Sequence, residues 1–154
     1  MMDLADCLAR GAICMALEPQ RRDDAVRVLL DGLVKSKAMS AGAVNRALDS
    51  ILERERLGST AIGNGVAVPH ARVDDLDHIV VAFGHSESGI EFRALDGEPV
   101  YEVFLVLAPS GAAAEYLELM QQITRLVQDE DFRRFVGCAK SGQEVLDLIR
   151  EMAS

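Results

Sequence analysis

The continuous apolar run Val103–Ala108 constrains the fold most, because it offers no polar face to solvent. Pro109 ends the run, and a strand of this kind is typical of the centre of a sheet that is covered on both faces. The apolar run 79–83 predicts a second buried strand, and the shorter run 12–17 predicts a third. The chain is therefore expected to supply helices that cover the sheet.

Amphipathic helices are predicted on both sides of this middle region. The segments with apolar side chains at helical spacing are 22–37, 40–58, 116–127, 132–136 and 141–152. Ser40 is placed to cap the second of them, and Gly58 is placed to end it. With no internal repeat and no linker, residues 1–154 are predicted to form a single α/β domain, a sheet covered by helices.

Composition and charge exclude several classes of function. The chain has 154 residues, of which 49% are apolar and 27% are charged, as in an ordinary globular domain. Its net charge of −9 repels nucleic-acid phosphates and anionic lipid, so neither nucleic acid nor membrane insertion is expected. An acidic surface suits docking against a basic protein patch. The acidic run Asp74–Asp77 either orients such a partner or is simply a solvated loop.

Targeting signals and metal motifs are not found in the sequence. Residues 1–10 contain Asp3 and Asp6 and no long apolar run, which does not fit a signal peptide, and no segment reaches the ~20 apolar residues of a membrane span. A cytoplasmic location is therefore expected. Cys7, Cys14 and Cys138 lack metal-site or disulfide spacing, so thiols in a reducing compartment are expected.

The segment from Arg54 to Arg72 carries the chemistry. A histidine that reaches solvent, such as His70, can act as a nucleophile or as a general base near neutral pH. Pro69 restricts the backbone just before it, and the two arginines supply the positive charge that a phosphoryl group requires. The residues predicted to bind phosphate are those with hydroxyl groups, amides or unobstructed backbone N–H groups in the loop: Thr60, Gly63, Asn64 and Gly65.

Spacing alone leaves alternatives open at this point. The loop is neither a Walker motif nor a dinucleotide-binding turn, and a single histidine in a glycine-rich loop is more often a surface or core residue. A hydrolase that uses His70 as general base is a weak hypothesis, because no serine or carboxylate nearby completes a triad. Three irregularly spaced histidines are poor evidence for a metal site.

The stretch Leu57–His70 reads Leu-Gly-Ser-Thr-Ala-Ile-Gly-Asn-Gly-Val-Ala-Val-Pro-His. It resembles the phosphorylation-site signature of IIA components of the bacterial phosphoenolpyruvate-dependent sugar phosphotransferase system, of the fructose/mannitol class that includes the nitrogen-regulatory IIA proteins. The resemblance continues through 90–92, 96–100 and the strand that ends at Ala108-Pro109, and into the C-terminal helices. It implies a mixed β-sheet sandwiched between helices.

The resemblance also implies an activity. His70 would accept a phosphoryl group from the phosphocarrier HPr or its nitrogen-branch relative, and Arg54 matches the arginine near the phosphorylated ring. The group would pass to a downstream IIB component or serve as a signal to regulatory target proteins. Neither a cofactor nor a metal is implied. The alternative is a nitrogen-regulatory type of binding module that controls partner proteins with weak or no phosphotransfer.

One position departs from the pattern of the family. Where the family carries a second histidine before a leucine, this chain has Tyr116-Leu117. A tyrosine hydroxyl can donate a hydrogen bond to a phosphoryl oxygen, although it cannot be cationic. His85, after a predicted strand, is the less favoured replacement, and His78 is interpreted as a surface residue.

Overall fold

A computed structural model describes residues 2–153, which form six helices and six strands. The helices are α1 Leu4–Arg10, α2 Arg22–Lys35, α3 Val44–Glu55, α4 Ala113–Gln128, α5 Glu130–Cys138 and α6 Gly142–Met152, with a 3-10 turn at Ala41–Ala43 before α3. The strands are β1 Ala12–Cys14, β2 Ala61–Gly63, β3 Val66–Ala67, β4 His70–Arg72, β5 Val80–Ile90 and β6 Val100–Ala108.

All six strands belong to one mixed sheet, in the order β1-β5-β6-β3-β2, with β4 also paired to β6. Strand β6 runs antiparallel to β5 and parallel to β3 and β4, which occupy successive parts of its other edge. Strand β1 is parallel to β5, and β2 closes a hairpin with β3. The predicted α/β class, a mixed sheet between helices, is confirmed.

The apolar run of β6 is buried on both faces because each face has its own hydrophobic core. Val103, Leu105 and Leu107 pack in one core with α2 and α3, whereas Phe104 and Val106 pack in the other with α1, α4, α5 and α6. The period-2 alternation of a strand sends neighbouring side chains to opposite faces. Both sets must therefore be apolar, which explains why the run shows no polar position.

The structure corrects several sequence-based predictions about local structure. Strand β5 continues to Ile90, beyond the predicted end at residue 83, because Gly84 and His85 still pair with β6. Strand β1 covers only 12–14 of the predicted 12–17 and is half-buried. The Ser40 side chain makes no capping hydrogen bond, since the chain enters α3 through a 3-10 turn.

Helix α1 was not predicted, because its apolar pattern is short. Its N-terminus is capped by Asp3, whose Oδ1 accepts hydrogen bonds from the N–H groups of Ala5 at 2.9 Å and Asp6 at 3.3 Å. Gly11 ends it where the chain passes close to β5: a Cβ there would lie 1.8 Å from the Val81 carbonyl oxygen. Among residues 2–153, no helix is both long enough and apolar enough to cross a membrane.

Candidate functional site

His70 is the first residue of β4 and lies at the end of the sheet where β6 terminates. Register places His70 opposite Val106 and Arg72 opposite Ala108, near the end of β6. Just before β4, the Pro69 carbonyl accepts a hydrogen bond from the Val106 N–H at 3.0 Å. Proline has no N–H to donate to a neighbouring strand, but its carbonyl can accept a hydrogen bond. This bond attaches the backbone at Pro69 and His70 to the buried central strand β6.

The His70 ring is half-buried, and its Nδ1 lies 2.8 Å from the Val68 carbonyl oxygen. A carbonyl can only accept a hydrogen bond, so this contact assigns the proton of the neutral ring to Nδ1. Nε2 then carries the lone pair. No hydrogen bond occupies it among the described residues. The backbone contact therefore leaves Nε2 as the ring nitrogen with an available lone pair.

The ring lines an open cleft of about 750 Å³. The cleft lies between the C-terminal part of α3 and the N-terminus of α4, with β4 and the end of β6 at its base. Its lining side chains include Asp49, Glu53, Arg54, Leu57, Arg72, Ser110 and Tyr116. The N-terminus of α4, at Ala112 and Ala113, also borders it, and a helix N-terminus favours negative charge.

Arg54 and Tyr116 approach His70 from two different helices. Arg54 Nη1 donates to the Gly58 carbonyl at 3.0 Å, which anchors the guanidinium at the end of α3. The rings of His70 and Tyr116 have centroids 6.0 Å apart and are tilted by 48°. Burial raises the pKa of the Tyr116 hydroxyl, and the charge of Arg54 opposes that rise only in part. The phenol therefore stays a hydrogen-bond donor at neutral pH.

Thr60 does not reach this cleft. Its hydroxyl and its N–H both donate to the buried carboxylate of Glu55, the N–H at 3.3 Å from each oxygen. Arg22 Nη1 lies 3.7 Å from the same carboxylate. The predicted phosphate contact of Thr60 is thus replaced by a buried bond that ties the loop after α3 to the end of that helix.

Gly63, Asn64 and Gly65 also lie away from His70. They form the β2–β3 turn, with φ of 92°, 58° and 79°, in the left-handed region that glycine and asparagine tolerate best. Val66 pairs with Glu102 and His70 pairs with Val106, so four strand residues, roughly 13 Å, separate the turn from the ring. The predicted phosphate-binding role of these three residues is corrected to a role in turning the hairpin.

His85 does not replace the missing second histidine. It pairs with Glu102 at the same distant end of the sheet, and its Nδ1 lies 3.0 Å from Glu102 Oε2. The less favoured alternative therefore fails, because the register of β5 on β6 separates the two histidines. His78 is exposed, as predicted.

The acidic run Asp74–Asp77 starts beside the cleft. Asp74 Oδ1 accepts a hydrogen bond from the Ser110 hydroxyl, and Asp75 forms an ion pair with Arg46 of α3. These contacts link the loop after β4 to the end of β6 and to α3. The run is therefore partly engaged in the fold as well as solvated.

Sequence reasoning did not identify Asp49, Glu53 or Ser110 as cleft residues. A signal existed for the first two: Asp49 and Glu53 are four residues apart on α3, a spacing that brings them onto the face beside Arg54. Ser110 had no such signal, because it follows a strand. Among residues 2–153, no group of three or more His, Cys, Asp or Glu side chains has metal-binding geometry.

The fold and the cleft define a class of protein: an α/β domain that presents a histidine with one available ring nitrogen, together with an arginine and a hydroxyl donor, at one end of a mixed sheet. The family model for the phosphoenolpyruvate-dependent sugar phosphotransferase system, EIIA 2, matches residues 7–152. The chain belongs to this family. It is therefore a phosphotransferase-system component, which implies phosphotransferase activity in general terms.

Relatives of two kinds extend over nearly the whole chain. A nitrogen regulatory protein of Bradyrhizobium diazoefficiens is 35% identical over 96% of this chain and 95% of its own length. A fructose-specific EIIA component of Haloferax volcanii is 34% identical, over 97% and 96% respectively. The chain is thus similar both to nitrogen-regulatory and to sugar-specific members.

Solved structures agree with this placement. The nitrogen regulatory protein IIA-Ntr of Neisseria meningitidis superimposes with a TM-score of 0.84 at 26% identity, over 94% of this chain and 97% of that one. The IIA mannitol domain of Escherichia coli, solved in complex with phosphorylated IIB mannitol, has a TM-score of 0.75 at 22% identity, over 91% and 94%. The second likeness concerns the fold alone.

Proposed function

We propose that this protein is a phosphocarrier whose His70 accepts a phosphoryl group from HPr or from its nitrogen-branch relative. The observation that carries the proposal is the hydrogen bond from His70 Nδ1 to the Val68 carbonyl at 2.8 Å. It leaves the Nε2 lone pair free in a ring that lines an open cleft. The phosphorylated nitrogen is therefore Nε2.

The transfer step is an in-line displacement. Nε2 of His70 forms a bond to phosphorus while the N–P bond of the phosphohistidine on the carrier breaks, and the leaving imidazole nitrogen departs with the electron pair of that bond. His70 keeps its Nδ1 proton, and the positive charge that develops on the ring is stabilised by the Val68 carbonyl. Phosphoryl transfer of this kind asks the protein mainly for positioning and charge stabilisation.

Arg54 and Tyr116 are the groups we assign to the transferring phosphoryl oxygens. Arg54 is held by Gly58 at the cleft, and the ring of Tyr116 is 6.0 Å from that of His70. The guanidinium supplies positive charge and the phenol supplies a neutral hydrogen bond. Tyr116 thus takes the place of the second histidine of the family as a donor, without its charge.

The partners follow from the same site. The cleft is open to a docking protein, and the phosphoryl group would pass to a IIB component, as the solved complex of the E. coli mannitol proteins suggests. The similarity to nitrogen regulatory proteins supports signalling to target proteins as a further use of the same phosphohistidine. We propose that the protein acts in the cytoplasm, where carriers of this system work, and that residues 1–154 form one domain.

The decisive experiment is phosphorylation in a reconstituted system. The protein is incubated with phosphoenolpyruvate, enzyme I and HPr, or with the nitrogen-branch carriers, and analysed by intact mass. We expect one acid-labile, base-stable phosphate on the wild type and on His78→Ala, the matched control with an exposed histidine, and none on His70→Ala. A folded His70→Ala protein that is phosphorylated at the wild-type rate would refute the proposal.

Pull-down with both forms of the protein separates relay from regulation. The phosphorylated protein and the His70→Ala variant, which mimics the unphosphorylated state, are used as baits. A target protein that binds one form in preference to the other supports a signalling role. Transfer to a IIB component without any such target supports simple relay.

A further inference from the structure

A second cavity lies at the opposite end of β6 from His70. It measures about 310 Å³, at the lower end of the roughly 300–1,000 Å³ of small-molecule pockets. It shares no lining residue with the phosphorylation cleft. The polar side chains that line it are Asn64, His85, Ser86, Glu87, Tyr101, Glu102 and Arg133. We name it the Glu102 cavity.

Glu102 is an unusual residue to find in the wall of a cavity. Its side chain is 9% exposed, and Oε2 is 3.0 Å from His85 Nδ1. Oε1 has no hydrogen-bond partner among the described residues. Oε1 is open to the cavity, since no fully enclosed side-chain nitrogen or oxygen among residues 2–153 lacks a hydrogen-bond partner. A donor on a bound molecule would supply the missing hydrogen bond.

Gly137 keeps the space next to Oε1 open. It lies inside α5, and a Cβ at this position would be 3.3 Å from Glu102 Oε1. Glycine in a helix costs about 1 kcal/mol relative to alanine, so a residue with a side chain would suit the helix better. The glycine is therefore consistent with a need for room beside the carboxylate rather than with helix stability.

The rest of the lining includes an apolar wall and one arginine. Phe104, Val127, Phe132 and Val136, all members of one hydrophobic core, form the apolar part. Arg133 is half-buried, and its Nη1 donates to the Val127 carbonyl at 2.7 Å. That bond fixes the guanidinium and uses one of its five N–H donors. The remaining donors suit a carboxylate.

We propose that the Glu102 cavity binds an α-amino acid with an apolar side chain. The ammonium group donates to Glu102 Oε1, the carboxylate accepts from Arg133, and the side chain packs against Phe104 and Phe132. A zwitterion matches a lining that carries both signs of charge, the carboxylates of Glu87 and Glu102 and the guanidinium of Arg133, whereas a simple cation or a simple anion would leave one sign uncompensated. The site is independent of the phosphoryl chemistry at His70.

The test uses the full chain and L-leucine as probe, followed by two-dimensional NMR of backbone amides. We expect saturable shifts at Asn64, Gly65 and Gly137, with binding weakened at least 10-fold by Glu102→Gln, by Arg133→Gln and by Gly137→Ala, which fills the space beside Oε1. Gly42→Ala is the matched control, because a Cβ there meets no atom within 4 Å. His70→Ala should bind leucine as the wild type does.

Two analogues of leucine test the two charges separately. Leucine without its carboxylate is 3-methylbutylamine, and leucine without its amino group is 4-methylpentanoic acid; both should bind at least 10-fold more weakly than leucine. The proposal is overturned if leucine causes no shifts in the wild type, if the shifts persist unchanged in the Glu102 and Gly137 variants, or if either analogue binds as well as leucine. Circular dichroism verifies that each variant is folded.

Discussion

A backbone carbonyl, rather than another side chain, orients the ring of His70. Val68 is two residues before His70, and its carbonyl fixes the Nδ1 proton of the ring at 2.8 Å. The neighbouring Pro69 has no N–H and a restricted φ, so the distance between this carbonyl and the ring varies little. Such local preorganisation serves phosphoryl transfer, in which most of the catalytic effect comes from position.

Tyr116 offers the first prediction at the scale of a residue. Tyr116→Phe removes the hydroxyl that we assign to a phosphoryl oxygen, and a hydrogen bond to a charged group is worth about 1.5–3 kcal/mol, so phosphoryl transfer should slow by roughly 10-fold or more. Because burial raises the pKa of this phenol, the effect should be constant between about pH 6 and pH 9. Rates of phosphorylation by the carrier measure it.

The control for this prediction is Tyr101→Phe, since Tyr101 lines the Glu102 cavity at the other end of β6. Tyr116→His should keep at least the wild-type rate, because an imidazole can also donate to the phosphoryl group. A Tyr116→Phe protein that reacts as fast as the wild type would show that the phenol contributes nothing to transfer.

Glu102 gives a second prediction, which concerns stability and pH. Burial raises the pKa of its carboxyl group above the ordinary 4.5, and the neighbouring His85 opposes the rise. The folded state thus holds this proton more tightly than the unfolded state. The resulting contribution to stability is complete below about pH 4.5 and is lost as the pH rises through the folded-state pKa. As the pH rises through the folded-state pKa, the wild type should therefore lose stability relative to Glu102→Gln, whose amide does not titrate.

Urea unfolding at a series of pH values measures this difference in the free energy of unfolding. The same pair of proteins in a His85→Asn background should show a larger difference, because the opposing charge of the histidine has been removed. Glu87 and Arg133 also line the cavity and remain unchanged in every variant. A difference that does not depend on pH would contradict the raised pKa.

At the scale of elements, the loop between α3 and β2 is organised by one buried carboxylate. Glu55 accepts hydrogen bonds from Thr60 and faces Arg22 of α2 at 3.7 Å. Arg54, one residue earlier, holds the carbonyl of Gly58 in the same loop. The buried bond and the arginine of the cleft therefore depend on a single loop conformation.

Thr60→Val tests this dependence. The variant keeps the shape of the side chain but leaves a buried carboxylate oxygen without its hydroxyl donor, which should cost about 1–3 kcal/mol of stability. The rate of phosphorylation at His70 should fall as well, because Arg54 loses its fixed loop. Chemical denaturation and the phosphorylation assay measure the two effects.

Thr124→Val, on the exposed surface of α4, is the matched control and should change the free energy of unfolding by less than about 0.5 kcal/mol. If Thr60→Val is destabilised but transfers phosphate normally, the loop is a structural element only. If Thr60→Val behaves like Thr124→Val in both assays, the buried hydrogen bond contributes measurably neither to stability nor to phosphoryl transfer.

At the scale of the whole molecule, two hydrophobic cores share one sheet. Strands β5 and β6 contribute alternate side chains to both cores, as in Val81 and Phe83 on one face and Val80 and Ala82 on the other. Loss of either core would expose one face of strands whose other face packs in the remaining core. Because of this sharing we expect the molecule to unfold as a single cooperative unit.

Thermal unfolding should therefore show one transition, with the calorimetric enthalpy equal to the van't Hoff enthalpy. Gly84→Ala, which would place a Cβ 2.6 Å from a Leu17 methyl group on the α2 side of the sheet, should lower the midpoint of the whole transition by overpacking. Two separate transitions, or a variant in which only part of the signal shifts, would argue against a single domain.

Local periodicity was enough to identify most helices and the two central strands, because these signals depend on neighbouring residues, whereas His70 with its proline and arginines was predicted from the motif that resembles the family signature. It also indicated that the sheet is covered on both faces, since β6 has no polar side. Helix α1 and the second half of β5 were not predicted. The apolar pattern of α1 is short and the stretch after Phe83 is polar, and both are ambiguous without their packing partners.

Which residues meet at the site depends on strand register and helix packing, and these are not local properties. Parallel pairing of β3 and β4 along one edge of β6 sends the glycine turn and His70 to opposite ends of that strand. The same pairing places His85 with Glu102, while α3 and α4 bring Arg54 and Tyr116 to His70. Residues that are continuous in the sequence motif therefore lie far apart in space, because an extended strand advances about 3.3 Å per residue along the sheet.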